Sequence, residues 1–282
     1  MAKGDWRGPA RRAGLGLATV LGFRPRGFFV PYRHAESVVP TDYPAIAALF
    51  AAREADFAKI LDGLDALERS LRAIPVDASA PAARWAQDWF PRLDAAAAYA
   101  IVAMRRPRLI VEVGSGHSTR FLLRVVEDGG LDTNIVAIDP SPRAPFSSPR
   151  IEHVASPIEC VNASIFERIN AGDILFIDSS HVLMPGTDVD ILFNRILPGL
   201  PSGAIVHVHD IFLPDPYPER WRWRGYNEQT ALAALIAGGG YVPLFSSHYA
   251  ATRMGARLAR GAVARLPLTA GAYETSLWLE KR

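Results

Sequence analysis

Two clusters at the carboxyl ends of apolar runs hold the chemistry of this 282-residue sequence: Asp178-Ser179-Ser180-His181 and His207-Val208-His209-Asp210. An imidazole titrates near neutral pH and can take a proton from a hydroxyl. Carboxylates beside an imidazole can hold a divalent ion that makes a bound oxygen more acidic. A third element, Glu112-Val113-Gly114-Ser115-Gly116-His117-Ser118, joins a short apolar run to a helical one. Small residues there let the backbone turn sharply and approach a ligand, and the free amides of a helix start favour an anionic group. Asp139, at the end of the next apolar run, can accept hydrogen bonds from both hydroxyls of a ribose beside that turn.

The elements that must position these groups follow from periodicity. Leu109 to Val113, Asn134 to Ile138, Ile151 to Val154, Asp173 to Ile177 and Ala204 to Val208 are short, apolar and rich in β-branched residues, with helical stretches at about 118–127, 188–197 and 227–237 between some of them. That alternation predicts a parallel α/β sheet, whose carboxyl edge gathers the glycine turn, Asp139, Asp178 and His209. Period-two alternation places His207 and His209 on one face of their strand and turns Asp210 away. Tyr241 to Ser246 and Thr275 to Leu279 show no convincing helix between them and predict an antiparallel hairpin at one edge. Upstream, Phe57, Ile60, Leu64, Leu67, Leu71 and Ile74 step by threes and fours and Pro75 ends the pattern, so a helix packs there on its own domain or in a homodimer. A second helix is expected to begin at Asp94 as its cap and to run through an alanine series to about Met104.

A turn and an acid of this kind suit a nucleoside cofactor. A nicotinamide-dependent dehydrogenase would show a third glycine where Thr119 stands, and a Tyr-x-x-x-Lys pair that is absent. The His-x-His pair also suits a zinc hydrolase, but the further histidines of such a site are missing and Asp139 would go unexplained. A non-catalytic nucleoside-binding protein is the third alternative. Val111-Glu112-Val113-Gly114-Ser115-Gly116, Ile138-Asp139 and Asp173 through Asp178 resemble the successive motifs of class I S-adenosylmethionine-dependent methyltransferases, over about residues 93–282. The resemblance implies a Rossmann-like, seven-stranded, mostly parallel sheet with an antiparallel last strand, and a cofactor held by Glu112, Gly114, Ser115, Gly116, Ser118, Asp139 and Asp178.

The second cluster is similar to that of metal-dependent O-methyltransferases of the catechol and macrolide-sugar types. The similarity implies Asp178, His209 and Asp210 as ligands of magnesium and His181, three residues after Asp178, as the base. His209 departs from the carboxylate usual at its position; manganese, iron or zinc then suit the site as well, as does a metal-free site in which His209 positions the acceptor. Beyond it, Ile211 to Pro218 and Glu219 to Gln229 interleave prolines, aromatics and arginines. These form an expected lid or acceptor wall, with Tyr217, Trp221, Asn227 and Glu228 facing a sugar or aromatic ring. This string, with Gly27-Phe28-Phe29-Val30-Pro31-Tyr32-Arg33, resembles a little-characterised bacterial branch of the methyltransferases.

Composition sets the frame: 49% apolar and 21% charged residues exclude disorder, and a net charge of +2 excludes a surface built wholly for nucleic acid. The partner expected is a small-molecule acceptor. The total hides a split, since residues 1–35 are +6 and the remainder −4. Residues 1–92 therefore read as a basic arm and helical region ahead of a methyltransferase domain at 93–282. The apolar run Ala13 to Phe23 is too short to span a bilayer, and no small-x-small cleavage site follows Arg11-Arg12, so the arm is expected to pack over the main domain, meet a partner subunit or touch an anionic membrane surface. A single cysteine, Cys160, asks for no oxidising compartment, and a cytoplasmic location is expected.

Overall fold

A computed structural model describes residues 7–24 and 26–282; Lys3 and Asp5 of the basic head lie outside the described residues. Seven strands, β1 (Leu109–Val113), β2 (Asn134–Ile138), β3 (Ile151–Val154), β4 (Ile174–Ile177), β5 (Ile205–Val208), β6 (Tyr241–Ser246) and β7 (Leu277–Lys281), form one sheet in the order β3-β2-β1-β4-β5-β7-β6. Strands β1 to β5 are mutually parallel where they pair, and β7 runs antiparallel to both β5 and β6. Every residue of β1, β4 and β5 is buried, which is why their sequences are unbroken apolar runs and not alternations. The chain winds outward from β1 to β3, then crosses back to β4. The crevice between the carboxyl ends of β1 and β4 is thus the point where strand order reverses, the place such sheets bind ligands.

Helices α1 (Arg7–Val20), α2 (Pro44–Ala51), α3 (Glu54–Ala66), α4 (Glu68–Arg72), α5 (Arg92–Arg105), α6 (His117–Asp128), α7 (Ser164–Glu167), α8 (Asp188–Ile191), α9 (Glu228–Ala237), α10 (Ser247–Arg253) and α11 (Gly255–Leu258) surround it. The stepped residues at 57–74 lie on α3 and after it, and Phe57, Leu64, Leu71 and Ile74 are buried against this same chain. Phe50 and Phe57 meet Phe245 and Tyr249 edge to face at 5.7 to 5.9 Å, which fixes α2 and α3 to β6 and α10. Helix α5 is wholly buried along Ala95 to Ala98, whose small side chains let it lie between α3 and α6. It stops where Arg106 takes the left-handed conformation (φ 49°) ahead of Pro107.

Two expectations need correction. β6 and β7 pair antiparallel, but they are no hairpin: α10, α11 and a 3₁₀ turn at Ala262–Arg265 lie between them, and β7 inserts between β5 and β6. These short helices escape a periodicity argument because each covers less than two full turns of apolar face. Asp94 is not the cap of α5, which starts at Arg92. The first turn of α5 is closed instead by Glu274, which accepts from the Leu93 amide at 2.8 Å and pairs with both sides of the Arg92 guanidinium.

Candidate active site

The glycine turn is built for close approach. Gly114 has φ +79°, and a Cβ on it would stand 1.9 Å from the carbonyl oxygen of Asp178, so no other residue lets β1 and β4 end side by side. Asp139 sits beside the turn as expected: its carboxylate accepts from the Ser115 amide at 2.8 Å and from the Ser141 amide at 2.7 Å. Gly114, Ser115, Asp139, Asp178, His181 and His209 all line one cavity of about 660 Å³. Glu112, Gly116 and Ser118, expected to hold the cofactor, do not line this cavity. Glu112 is fully buried beneath the turn and accepts from Ser118 Oγ at 2.6 Å and Thr119 Oγ1 at 2.7 Å; Thr119 Oγ1 in turn accepts from the Gly116 amide. The acid braces the start of α6 from within, because β1 is buried on both faces and its side chains have no solvent to turn to.

Burial pushes the Glu112 carboxyl from an ordinary 4.5 up to about 8. The folded state therefore holds this proton more tightly than the unfolded chain, and the group's contribution to stability is complete below about 4.5 and lost as pH rises through about 8. Glu112→Gln is expected to melt close to the wild type at about pH 4.5 and to lose less stability than the wild type towards about pH 8, whereas Glu112→Ala, which strands two buried hydroxyls, should cost about 2–4 kcal/mol. Melting curves across that range check both.

Opposite the turn, Asp178, His181, His209 and Asp210 come together. His181 Nε2 stands 3.4 Å from Asp178 Oδ1 and 3.6 Å from Asp210 Oδ2, and His209 Nδ1 stands 3.4 Å from Asp178 Oδ1 and 3.6 Å from Asp210 Oδ1. His181 (φ 62°) and Asp210 (φ 57°) both adopt the left-handed conformation, a cost of order 1–3 kcal/mol each that persists where the surroundings over-determine the geometry. Those surroundings are visible. Asn227 donates its amide to the His181 carbonyl and brackets the backbone of Leu183 with its side chain, while Glu228, fully buried at the start of α9, holds His181 Nδ1 at 2.5 Å. Asn227 and Glu228 thus support the imidazole and do not line the cavity. Tyr217 does not line it either; its ring packs against Phe212 and Tyr226.

Burial alone would lower both imidazoles. Glu228, then Asp178 and Asp210, outweigh it at His181, and Asp210 with Asp178 outweigh it at His209, so both rings lie well above 6.5. Burial works the other way on Asp178, but His209 and His181 hold it well below the usual carboxylate range. His207 has a different fate. It is fully buried, stacked on Phe176 at 3.7 Å with its Nε2 on Ser276 Oγ, and burial followed by the charge of His209 pushes it well below 6.5: a neutral core residue.

Several residues of the site carry no motif. Asp94 is fully buried, accepts from the Thr275 and Ser276 amides at the entry to β7, and faces His209 Nε2 at 3.4 Å, which orients that ring from behind. Trp89 lines the cavity with the Arg143 guanidinium 4.0 Å over its ring, and Tyr226 lies on His181 with ring centres 4.4 Å apart. Of the expected acceptor wall, Trp221 lines the cavity, joined by Trp223 and Arg224 from the same 3₁₀ turn, Glu219–Arg224. The separations around Asp178 approach those of neighbouring ligands on one ion, and the donor chemistry suits a cation. Among the described residues, however, no group of three or more His, Cys, Asp or Glu side chains is placed to hold a metal ion. No helix among the described residues is long and apolar enough to cross a membrane.

A family model described as a methyltransferase domain matches residues 111–211. No curated protein matches the chain in sequence. Among solved structures, the chain is similar to cmcI with Mg and S-adenosylmethionine (19% identity, 49% of this chain and 58% of that one, TM-score 0.34). It is similar also to the methyltransferase PaMTH1 of Podospora anserina bound to S-adenosylhomocysteine (15%, 91% and 99%, TM-score 0.40). A third is the plantazolicin methyltransferase BpumL with a pentazolic substrate analogue and S-adenosylhomocysteine (11%, 80% and 98%, TM-score 0.44). The chain spans a little over half the length of cmcI. The family match runs from the glycine turn through Asp139 and Asp178 to Asp210, the residues that the reversal of strand order brings to one crevice, and this stretch of the chain is similar to a methyltransferase domain.

Proposed function

We propose that the chain transfers the methyl group of S-adenosylmethionine to a hydroxyl of a small molecule, of the class of sugars or glycan precursors, with His181 as general base. One observation carries this reading: Glu228 occupies His181 Nδ1, so the ring atom left facing the cavity is Nε2, between Asp178 and Asp210. S-adenosylmethionine, when bound, supplies an activated methyl on a sulfonium. The chain's own residues have the remaining work. Asp139 would hold the ribose, Gly114 and Ser115 would pass the backbone under the cofactor, and Trp221 and Tyr226, which line the same cavity, would orient a ring in line with the methyl. A hydroxyl is a poor nucleophile at neutral pH, and an imidazole within reach removes its proton as the bond forms.

In this structure the carboxylates hold His181 protonated, and positive charge brought among them lowers its proton affinity towards neutrality. Asp94, Asp178, Asp210 and Glu228 outnumber the two imidazoles they face, an excess of negative charge that a sulfonium offsets and that Asp178, His209 and Asp210 would share with a divalent ion. Such an ion would lower the pKa of an acceptor oxygen. A cytoplasmic location goes with this reading, because the cofactor is intracellular.

The test is turnover, read as S-adenosylhomocysteine released with hydroxylated acceptors, sugar nucleotides first. His181→Ala is expected to lose at least about tenfold to a hundredfold in kcat with cofactor affinity unchanged. Full activity in that variant removes His181 as the base, and a rate untouched by chelator removes the ion.

A further inference from the structure

We propose that a second cavity, adjoining the reaction cavity beneath the N-terminal arm, takes the apolar chain of an amphiphilic acceptor bearing an anionic group. The proposal rests on the methyltransferase reading and names the acceptor class. The cavity, about 1480 Å³, lies between the arm, which contributes Leu15, Val20, Phe28 and Phe29, and the main domain, which contributes Val182 and Met184. Arg11, Ser180, Trp223 and Arg224 line both cavities, so the two adjoin at the carboxyl edge of the sheet. Small metabolites fill pockets of about 300–1,000 Å³. The reaction cavity already offers that space, and the second one adds more than twice as much beside it.

The chemistry of its lining selects the occupant. Phe28 and Phe29 are 57% and 67% exposed, adjacent apolar rings on the wall of this cavity that form part of a contiguous apolar patch with Leu15, Val20 and Val30. Around them stand six arginines, Arg11, Arg12, Arg26, Arg220, Arg222 and Arg224, against three acids, Glu159, Asp188 and Glu219. Of these acids, Asp188 already accepts from Ser180 and Glu219 already pairs with Arg222. Apolar walls with a basic rim match a molecule with a hydrocarbon chain and a phosphate or carboxylate, its hydroxylated head directed towards His181 past the residues common to both cavities. Arg12 donates to the carbonyl of Arg222, a hydrogen bond that ties α1 to the 219–224 turn.

Calorimetry on the full chain tests this with dodecyl phosphate below its micelle threshold, against butyl phosphate and uncharged dodecyl maltoside, with S-adenosylhomocysteine titrated in the same preparation. Dodecyl phosphate is expected to bind at least about tenfold tighter than either comparison ligand, because the chain and the charge are both recognised. Phe29→Glu and Met184→Glu, on opposite walls, should each weaken it by about tenfold or more and leave S-adenosylhomocysteine binding unchanged. Equal affinity for the dodecyl and butyl phosphates, or wild-type affinity in both variants, overturns the proposal while the cofactor titration upholds the enzyme reading. No cofactor binding overturns both. Adsorption to phosphatidylglycerol vesicles without binding of monomeric dodecyl phosphate, or a dimer in sedimentation velocity that Phe29→Glu dissociates, overturns it in favour of a bilayer surface or a second copy of the chain.

Discussion

Asp139→Ala is expected to lower the affinity for S-adenosylhomocysteine at least about a hundredfold, a loss of roughly 3 kcal/mol. In the fold, the carboxylate closes the glycine turn by accepting from the amides of Ser115 and Ser141. It also lines the cavity at the end of β2, where both hydroxyls of a ribose can reach it. Hydrogen bonds to a charged group contribute about 1.5–3 kcal/mol each, so losing the pair, with a looser turn besides, sets the expected size. Asp139→Asn keeps one acceptor oxygen and should lose about tenfold, which separates the ribose contacts from collapse of the turn. Because the residue is only partly buried, the melting temperature of either variant should fall by no more than a few degrees. Calorimetric titration decides, and unchanged affinity in the alanine variant removes Asp139 from the cofactor site.

The groups legible in the sequence are those whose position follows from the ends of strands. Buried parallel strands are continuous apolar runs, their carboxyl ends share one edge, and Asp139, Asp178 and His209 are found there because the first polar residue after such a run has nowhere else to go, with His181 in the loop that leaves Asp178. Strand topology also separates His207 from His209. The former lies inside β5 between Phe176 and Trp278, while the latter stands one residue beyond the strand, on the same face.

What escaped notice depends on partners far away in the chain. Asp94, in front of an alanine run, has the local signature of a helix cap, yet its hydrogen bonds go to Thr275 and Ser276, more than 180 positions later. Glu112 has the spacing of a cofactor ligand, but only the packing of β1 shows that it points into the protein. Glu228 and Asn227 are expected from the sequence in the acceptor wall and serve instead behind His181, because α9 begins where the loop after β4 folds back on it. Trp89 and Arg143 carry no periodicity and no motif; their pairing at the cavity wall exists only once the linker before α5 meets the loop after β2.

Gly114→Ala is expected to be the most damaging single methyl in the molecule, at least about 3 kcal/mol, or roughly 6–12 °C in melting temperature for a chain of this size. Two costs add. The left-handed conformation, φ +79°, penalises any Cβ by about 1–2 kcal/mol. The added carbon would also lie 1.9 Å from the Asp178 carbonyl oxygen and 2.8 Å from its carbon, so β1 and β4 must part at the crevice. The obstacle is backbone in a buried sheet and cannot swing aside as a side chain would. Moving it moves Asp178, and through Asp178 the imidazoles of His181 and His209 that face it. Cofactor binding should therefore be lost even at temperatures where the variant is folded, a result that a purely thermal defect would not produce. Gly116 supplies the contrast within the same motif: a Cβ there meets nothing nearer than Arg143 Cβ at 3.7 Å, and Gly116→Ala should cost less than half as much. The two glycines are indistinguishable as letters and differ only in what the returning strand brings against them. A Gly114→Ala protein that melts with the wild type and binds S-adenosylhomocysteine would mean that β1 and β4 do not meet at this point.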